Sequence, residues 1–246
     1  MKFLKEIFGR IWALWGLLLF IATIPVVLFF YLPCAILREP QRAQWHRHVS
    51  RVWMTIYMTL IACPVRVKNA NFFKKGQNYV VVCNHNSFMD VPVTTPFMPN
   101  ANKTIAKKSF AAIPLFGWIY GWGSVLVDRN DKQSRAKSYV DMKRVLDLGL
   151  DMVLYPEGTR NKTDQPLKPF YDGAFKLSTE TQKPIMPAVL FNTKKILPAA
   201  KPFFLLPHKI EIHFLAPIFP SGYSTEALKN KAFSEMWDYY LENDKK

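Results

Sequence analysis

Cysteine is scarce in this sequence, and its distribution argues against two common ways of holding a fold together. Only three of the 246 residues are cysteines, namely Cys34, Cys63 and Cys83. They lack the spacing of a zinc site and are too scattered for a disulfide framework. All three lie in apolar surroundings, which is typical of small buried hydrophobic side chains. We therefore predict free thiols, as in a protein of a reducing compartment, and no metal site.

Acidic residues are also in the minority. The sequence contains 18 aspartate and glutamate residues against 33 lysine and arginine residues, which gives a formal net charge of +15. Such an excess indicates anionic partners, either nucleic acid or an anionic lipid surface together with a phosphorylated substrate. No recognised nucleic-acid-binding motif occurs, and a long apolar N-terminal segment has no place in such a protein. We therefore expect membrane lipids as partners and no nucleic acid.

Charge is absent altogether from residues 11–37. A helix needs about 20 apolar residues to cross the hydrocarbon core of a bilayer, so this run is long enough. It is longer than the apolar part of a signal peptide, and no small-residue cleavage site stands out. Pro25 is predicted to kink this helix or to break it into a hairpin. Basic residues flank the run on both sides, so a re-entrant hairpin stays an alternative to a span.

A second apolar segment, residues 52–65, is too short to span a bilayer. It is predicted to lie in the membrane interface or to pair with the first segment. A basic linker that includes His46 and His48 separates the two. We predict residues 1–66 as an N-terminal membrane-anchoring helical region and residues 67–246 as an α/β domain. The alternative is a plain anchor that takes no part in handling a substrate.

Apolar runs alternate with helical patterns after about residue 67. Buried strands are predicted at residues 79–83, 104–106, 124–127, 152–155 and 188–191. Strict alternation of apolar and polar residues predicts a half-exposed strand at residues 209–215. Helices are predicted at residues 131–149 and after the N-cap residue Ser224. This order predicts an α/β fold with a largely parallel or mixed sheet flanked by helices, preceded by a membrane-associated helical segment.

Polar side chains follow four of the predicted strands. His85 follows the first strand, Lys107 the second and Arg129 the third, while Glu157 and Arg160 follow the fourth. Ligands of open α/β sheets bind at the carboxyl ends of the strands, so we expect these side chains to share one site. One base and several cations suit a substrate with a hydroxyl to deprotonate and a phosphate to hold.

His85 and Asp90 are separated by a short turn-forming stretch. A neutral imidazole near pH 7 can accept a proton from a hydroxyl, and a carboxylate on its second nitrogen stabilises the resulting imidazolium. Taken alone, this pair is more typical of an ordinary strand-to-helix turn with a solvated aspartate. Only its combination with the stretch at residues 155–160 favours a catalytic site.

These stretches resemble the motifs of the glycerolipid acyltransferases. Residues 84–90 (NHNSFMD) match the N-H-x4-D motif, and residues 155–160 (YPEGTR) match F-P-E-G-T-R, with Tyr in place of Phe. Weaker similarities follow the family's order over about residues 78–191. Ser109 and Asn161 depart from the residues that the family often carries next to its motifs. The sequence is most similar to the bacterial type of 1-acylglycerol-3-phosphate acyltransferase.

The resemblance implies an enzyme that moves a fatty acyl group from acyl-CoA or acyl-carrier protein to lysophosphatidic acid, giving phosphatidic acid. These thioesters are co-substrates, and no cofactor or metal is expected. His85 is predicted as the general base and Asp90 as the carboxylate that orients it. Backbone N–H groups near Gly158 are candidate oxyanion donors. The predicted substrate-binding residues are Glu157, Gly158, Thr159, Arg160, Lys107 and Arg129.

Three alternatives stay open at this point. Cys83 and His85 lie on one face of an extended strand, so a Cys-His acyl-enzyme is a rival mechanism, although a buried thiol is inert. In the second alternative, the protein is still an acyltransferase, but it acylates a different lysolipid. The third is a membrane lipid-binding protein without catalysis. The expected location is the inner membrane, with the catalytic domain on the cytoplasmic side.

Overall fold

The computed structural model describes residues 2–244, and within them one mixed sheet of seven strands carries the fold. The strands are β1 (Val65–Lys68), β2 (Val80–Cys83), β3 (Asn102–Lys107), β4 (Ser124–Val127), β5 (Asp151–Leu154), β6 (Ile185–Phe191) and β7 (Ile210–Phe214). Their spatial order is β1-β7-β6-β2-β5-β3-β4. Among the strands of this described part, only β6 and β7 pair antiparallel. The predicted mixed sheet flanked by helices is confirmed.

Helices cover both faces of the sheet. They are α1 (Lys2–Tyr31), α2 (Pro33–Ile36), α3 (Gln41–Leu60), α4 (Asp90–Phe97), α5 (Phe116–Trp122), α6 (Lys132–Asp147), α7 (Gly173–Thr181), α8 (Thr193–Ile196) and α9 (Thr225–Asn243). Successive residues of β2 point to opposite faces, as pleating requires. Val81 and Cys83 pack under α1 and α3, while Val80 and Val82 pack under α6, α7 and α9. Burial on both faces explains why the central strands read as continuous apolar runs.

The N-terminal region forms a helical hairpin, but not at the predicted place. Helix α1 continues unbroken through Pro25, so a break there is wrong, whereas the predicted kink stays a prediction. Contacts with α3 hold the helix on either side of the proline. The indole N–H of Trp53 donates to Thr23 Oγ1 at 3.0 Å, and the hydroxyl of Tyr31 lies 2.5 Å from Ser50 Oγ. The chain reverses instead between α1 and α3, so the second apolar segment pairs with the first.

The basic stretch is part of a helix rather than a linker. It forms the first half of α3, and His46 is buried there. The prediction of a linker failed because α3 also carries buried residues such as Ala43 and Val49, which lie between exposed basic residues such as Arg51. Strand β1, which was not predicted, begins at Val65 and pairs with β7. The division into residues 1–66 and 67–246 stays a prediction.

Strand β7 is buried rather than half-exposed, so that prediction is wrong. His213 is only 2% exposed. Its Nε2 lies 2.8 Å from Glu211 Oε2 and its Nδ1 lies 3.1 Å from the hydroxyl of Tyr239 on α9. Because His213 has these polar partners, β7 can carry a polar side chain at a buried position. The predicted N-cap of α9 is confirmed, because Ser224 Oγ accepts a hydrogen bond from the N–H of Ala227 at 3.1 Å.

Candidate active site

The turn between β2 and α4 brings the predicted histidine and aspartate into contact. Asp90 is the first residue of α4, and its Oδ2 lies 2.7 Å from Nδ1 of His85. The same oxygen accepts the backbone N–H groups of Asn86 and Ser87, each at 2.7 Å. Because a carboxylate accepts, Nδ1 carries the hydrogen and Nε2 is left as an acceptor. Asp90 is fully buried, whereas the His85 side chain is 18% exposed. The imidazole is therefore held in one tautomer and reaches the surface of a cavity.

Tyr155 supports the other side of the imidazole. Its ring stacks on His85 with the centroids 4.5 Å apart. Its hydroxyl lies 2.6 Å from Thr94 Oγ1, on α4. Burial raises the pKa of Tyr155 well above its ordinary value, so the phenol stays neutral. The hydrogen bond to Thr94 explains how Tyr fits where the family motif has Phe. Sequence reasoning missed this role, and the exchange of Phe for Tyr was the only signal for it.

Glu157 lies behind the histidine rather than along the cavity wall. Its Oε1 accepts the backbone N–H of His85 at 2.9 Å, and the side chain is 1% exposed. The backbone N–H of Asn161 donates to the carbonyl of His85 at 2.6 Å. The two motif segments are therefore joined through both polar groups of one residue. Burial raises the pKa of Glu157 to about 7, although hydrogen bonds from the backbone N–H groups of His85 and Lys168 lower it.

The predicted cations gather at the carboxyl edge of the sheet. Lys107, Arg129 and Arg160 line one cavity together with His85. The guanidinium of Arg160 lies over the ring of Phe88, 3.3 Å from its centroid. Among the described residues, buried Nη1 of Arg160 has no hydrogen-bond partner. Nη1 of Arg129 donates to the carbonyl oxygen of Gly158.

The turn at Gly158 and Thr159 also lines the cavity, but its amides are occupied. The N–H of Gly158 donates to the carbonyl of Tyr155 at 3.0 Å, and that of Thr159 to the carbonyl of Glu157 at 2.8 Å. These two groups therefore have no free hydrogen for a ligand, so neither of them is an oxyanion donor in this arrangement. Thr159 Oγ1 accepts from Nζ of Lys168 at 2.6 Å, a contact that sequence reasoning missed.

The cavity beside His85 has a volume of about 730 Å³ and mainly apolar walls. It runs between α3, α4 and α5 towards a polar end formed by Tyr31, His46 and Ser50. Nε2 of His46 lies 3.0 Å from the carbonyl oxygen of Ile119, so this end is hydrogen-bonded within the protein. Apolar cavities with a few convergent polar groups are typical of small-molecule sites. An apolar chain whose reactive end lies at His85 fits this shape.

Cys83 does not share the cavity. The side chain is fully buried, and burial together with the nearby Asp90 carboxylate raises the pKa of its thiol. A neutral thiol in such a place is a poor nucleophile. Within residues 2–244, no group of three or more His, Cys, Asp or Glu side chains is placed to hold a metal ion.

A protein-family comparison agrees with the motif order and with this geometry. The family model described as Acyltransferase matches residues 64–190. The chain belongs to the acyltransferase family. The resemblance to the glycerolipid acyltransferases is thereby confirmed, and the match includes β1 as well as the segments that meet at His85.

Curated relatives carry one recurring name. A 1-acyl-sn-glycerol-3-phosphate acyltransferase of Helicobacter pylori is 30% identical over 182 residues, covering 72% of this chain and 76% of the relative. A chloroplastic 1-acyl-sn-glycerol-3-phosphate acyltransferase of Brassica napus is 28% identical over 190 residues, covering 77% of this chain and 55% of the relative. The chain spans about half the length of the first curated relatives that it matches.

A solved structure has the same fold. The 1-acyl-sn-glycerophosphate acyltransferase PlsC of Thermotoga maritima superposes with a TM-score of 0.81, and the match covers 96% of each chain. Sequence identity is 21%, so this likeness establishes the architecture and leaves the chemistry to the site.

Proposed function

We propose that this protein transfers a fatty acyl group from acyl-CoA or acyl-carrier protein to the free hydroxyl of 1-acylglycerol 3-phosphate, giving phosphatidic acid for phospholipid synthesis. The observation that carries the proposal is the 2.7 Å contact between His85 and Asp90 at an apolar cavity whose rim holds three cations. The names of the curated relatives support the same acceptor.

His85 is the general base of the proposed reaction. Its Nε2 removes the proton of the acceptor hydroxyl as the hydroxyl oxygen attacks the thioester carbonyl. Asp90 stabilises the imidazolium that forms. The tetrahedral intermediate collapses to the ester, and the departing thiolate takes the proton from the imidazolium. The thioester is already activated, so the reaction needs no acyl-enzyme and no cofactor.

Arg160 is proposed to bind the phosphate of the acceptor. Its guanidinium lines the cavity, and the unpartnered Nη1 can donate to a phosphate oxygen, which suits the forked geometry of arginine. Lys107 and Arg129 add positive charge at the same rim. Glu157, which is buried behind His85, is proposed to position the catalytic residue rather than to contact the glycerol.

The helical hairpin is proposed to dock the enzyme on the membrane. Helix α1 is the one helix of residues 2–244 that is long and apolar enough to cross a bilayer. Large apolar side chains on α1 and α3 are exposed, including Phe3, Trp15, Phe29, Phe30 and Ile56. Exposed apolar patches of this kind are typical of membrane contacts. We place residues 1–66 at the inner membrane, with the catalytic domain on its cytoplasmic side.

A panel of acceptors tests this proposal. The purified protein in detergent is given labelled acyl-CoA with lysophosphatidic acid, lysophosphatidylcholine or lysophosphatidylethanolamine, and parallel reactions use acyl-carrier protein as donor. Labelled phosphatidic acid is the expected product. Product from the other lysolipids alone would contradict lysophosphatidic acid as the acceptor. Lipid binding without product from either donor would indicate a lipid-binding protein that is not an enzyme.

A further inference from the structure

A second, smaller cavity adjoins the first, and Phe88 lies in the walls of both. It has a volume of about 280 Å³, and its walls are α1, the segment at residues 197–205 and the turn that carries Phe88 and Met89. Leu17 and Phe20 border both cavities. The hydroxyl of Tyr57, the one side-chain hydroxyl in its wall, donates to the carbonyl of Gly16 at 3.1 Å. Among the described residues that line this wall, no side-chain donor is therefore left free for a polar ligand, and the space suits hydrocarbon.

The segment at residues 197–205 is held against α1 in an unusual backbone conformation. The N–H of Leu205 donates to the carbonyl of Gly9 at 3.0 Å, and a Cβ on Gly9 would lie 2.3 Å from the ring of Phe204. Phe203 has a φ of 51°, in the left-handed region that residues with a side chain rarely adopt. Its ring lines the cavity and remains 47% exposed. Strain of this kind persists where the surrounding structure enforces it and is often associated with ligand sites.

The proposed reaction requires two hydrocarbon chains at His85 at once. Direct transfer from thioester to hydroxyl brings the donor chain and the acceptor chain together in one complex. The larger cavity includes His85 in its wall, and the smaller one adjoins it across Phe88. Phe88 lines both cavities and is 57% exposed, so its ring is placed to separate the two spaces.

Arg160 lines only the larger cavity, but it contacts Phe88, which lines both cavities. Its guanidinium lies over the ring of Phe88, so a phosphate held by Arg160 places the glycerol of the acceptor beside this partition. The smaller cavity is walled by α1, whose outer side is exposed and apolar. An acceptor that resides in the bilayer reaches this side directly, whereas acyl-CoA and acyl-carrier protein are soluble and approach from water.

We propose that the smaller cavity binds the acyl chain of the lysophospholipid acceptor, with Phe88 separating it from the acyl chain of the donor. This inference rests on the proposed function and adds a subsite to it. The specificity of the enzyme for acceptor chain length is then set by α1 and the segment at residues 197–205, independently of the cavity that holds the donor chain.

The first test fills the smaller cavity. Ala13 lines only this cavity, while its neighbour Leu14 is 47% exposed and lines neither. Ala13→Phe is expected to raise KM for oleoyl lysophosphatidic acid about tenfold or more. The added ring takes the place of part of the acceptor chain, and that part is then no longer buried. KM for hexanoyl lysophosphatidic acid and for acyl-CoA should stay near the wild-type values. Leu14→Phe is the matched control and should leave all three unchanged.

The outcomes separate this inference from the function on which it rests. A rise in KM for acyl-CoA alone would assign the cavity to the donor and overturn the proposal, as would unchanged kinetics for every substrate. Failure of the wild type to make phosphatidic acid would instead overturn the proposed function.

A photolabelling experiment on the wild type covers the case in which Ala13→Phe does not fold. Lysophosphatidic acid with a diazirine at the end of its chain is expected to label α1 or residues 197–205, and excess oleoyl lysophosphatidic acid should compete. Competed labelling at Ile105 or Ile119, which line only the larger cavity, would contradict the proposal. Labelling that excess oleoyl lysophosphatidic acid does not reduce would also contradict it.

Discussion

The carboxyl edge of the sheet buries charged side chains, whereas the N-terminal hairpin exposes large apolar ones. Both arrangements depart from the usual distribution of polar and apolar residues. At the sheet edge, Asp90 and Glu157 are both buried. Asp90 accepts two backbone N–H groups, and Glu157 accepts the backbone N–H of His85. On the hairpin, side chains such as Phe3 and Phe29 are 74% and 69% exposed. The first arrangement fixes a histidine in one geometry, and the second offers an apolar surface to a lipid phase. Buried polar groups need partners on the protein, whereas exposed apolar groups need a partner outside it.

The largest effect should come from breaking the buried side of this comparison. Asp90→Asn replaces an oxygen that accepts three hydrogen bonds by a group that also donates, so His85 loses its tautomer and its counter-charge. We expect kcat to fall roughly 10²–10⁴-fold. Asp151→Asn is the matched control, because Asp151 is equally buried but lies at the start of β5, away from the site. Comparable losses in both variants would show that burial rather than catalysis explains the effect.

Arg160 tests whether the polar edge recognises phosphate. Arg160→Gln should raise KM for lysophosphatidic acid about 10–100-fold, because a charge-assisted hydrogen bond contributes about 1.5–3 kcal/mol. KM for acyl-CoA should change little. Arg144→Gln, an exposed arginine on α6, serves as the control. The assignment is wrong if steady-state kinetics show the two substrates equally affected.

The exposed side of the comparison is tested by vesicle binding. Phe29→Ser removes one aromatic side chain from the hairpin surface and should weaken binding to anionic vesicles about tenfold, because burial of a Phe contributes roughly 1.5–3 kcal/mol. Phe219→Ser is the control, since Phe219 is 55% exposed but precedes α9, far along the chain from the hairpin. Co-sedimentation that ranks the two variants equally would argue against docking through α1.

Glu157 should give the smallest effect on activity and a clear effect on stability. Its folded-state pKa of about 7 lies above its ordinary value of 4.5, so the folded protein binds more protons between these values. The free energy of unfolding therefore falls as pH rises through this window, by on the order of 3 kcal/mol for this group. Glu157→Gln keeps an oxygen for the N–H of His85 and should remove this contribution.

Denaturant unfolding from about pH 4.5 to pH 8 measures the change in slope. Burial also raises the pKa of Asp151 to about 7, so the stability of the variant still falls with pH. The prediction therefore concerns the difference in slope between Glu157→Gln and the wild type. We expect Glu157→Gln to retain activity within a few-fold and Glu157→Ala to lose more, since the alanine leaves a buried N–H unpaired. Identical slopes in wild type and Glu157→Gln would contradict a neutral, buried Glu157.

The fold and the outline of the site could be predicted because both depend on local patterns. Apolar runs located β2 to β6, and the parallel strands place the residues that follow them at one edge. Strand β1 has the sequence VRVK, in which exposed basic residues interrupt the apolar ones, so it gave no continuous apolar run. Helix α1 passes through Pro25 because contacts with α3 on either side hold it, and such contacts are not encoded near the proline.

Side-chain direction inside the site could not be predicted. The sequence placed Glu157 among groups that contact the substrate, yet the backbone of its turn directs it behind His85. The same turn uses the N–H groups of Gly158 and Thr159 internally, which no spacing rule reveals. Tyr155 contacts Thr94 across 61 residues of sequence. These details depend on loop dihedral angles and on distant partners rather than on periodicity.

The most direct test of the account is acyl transfer from labelled acyl-CoA to lysophosphatidic acid by the wild type, His85→Ala and His208→Ala side by side. The alanine at position 85 keeps the backbone groups that bind Glu157 and Asn161, and His208 is an exposed histidine outside the site. We predict phosphatidic acid from the wild type and His208→Ala, and a loss of roughly 10²–10⁴-fold in His85→Ala. Equal activity of all three proteins would contradict His85 as the general base.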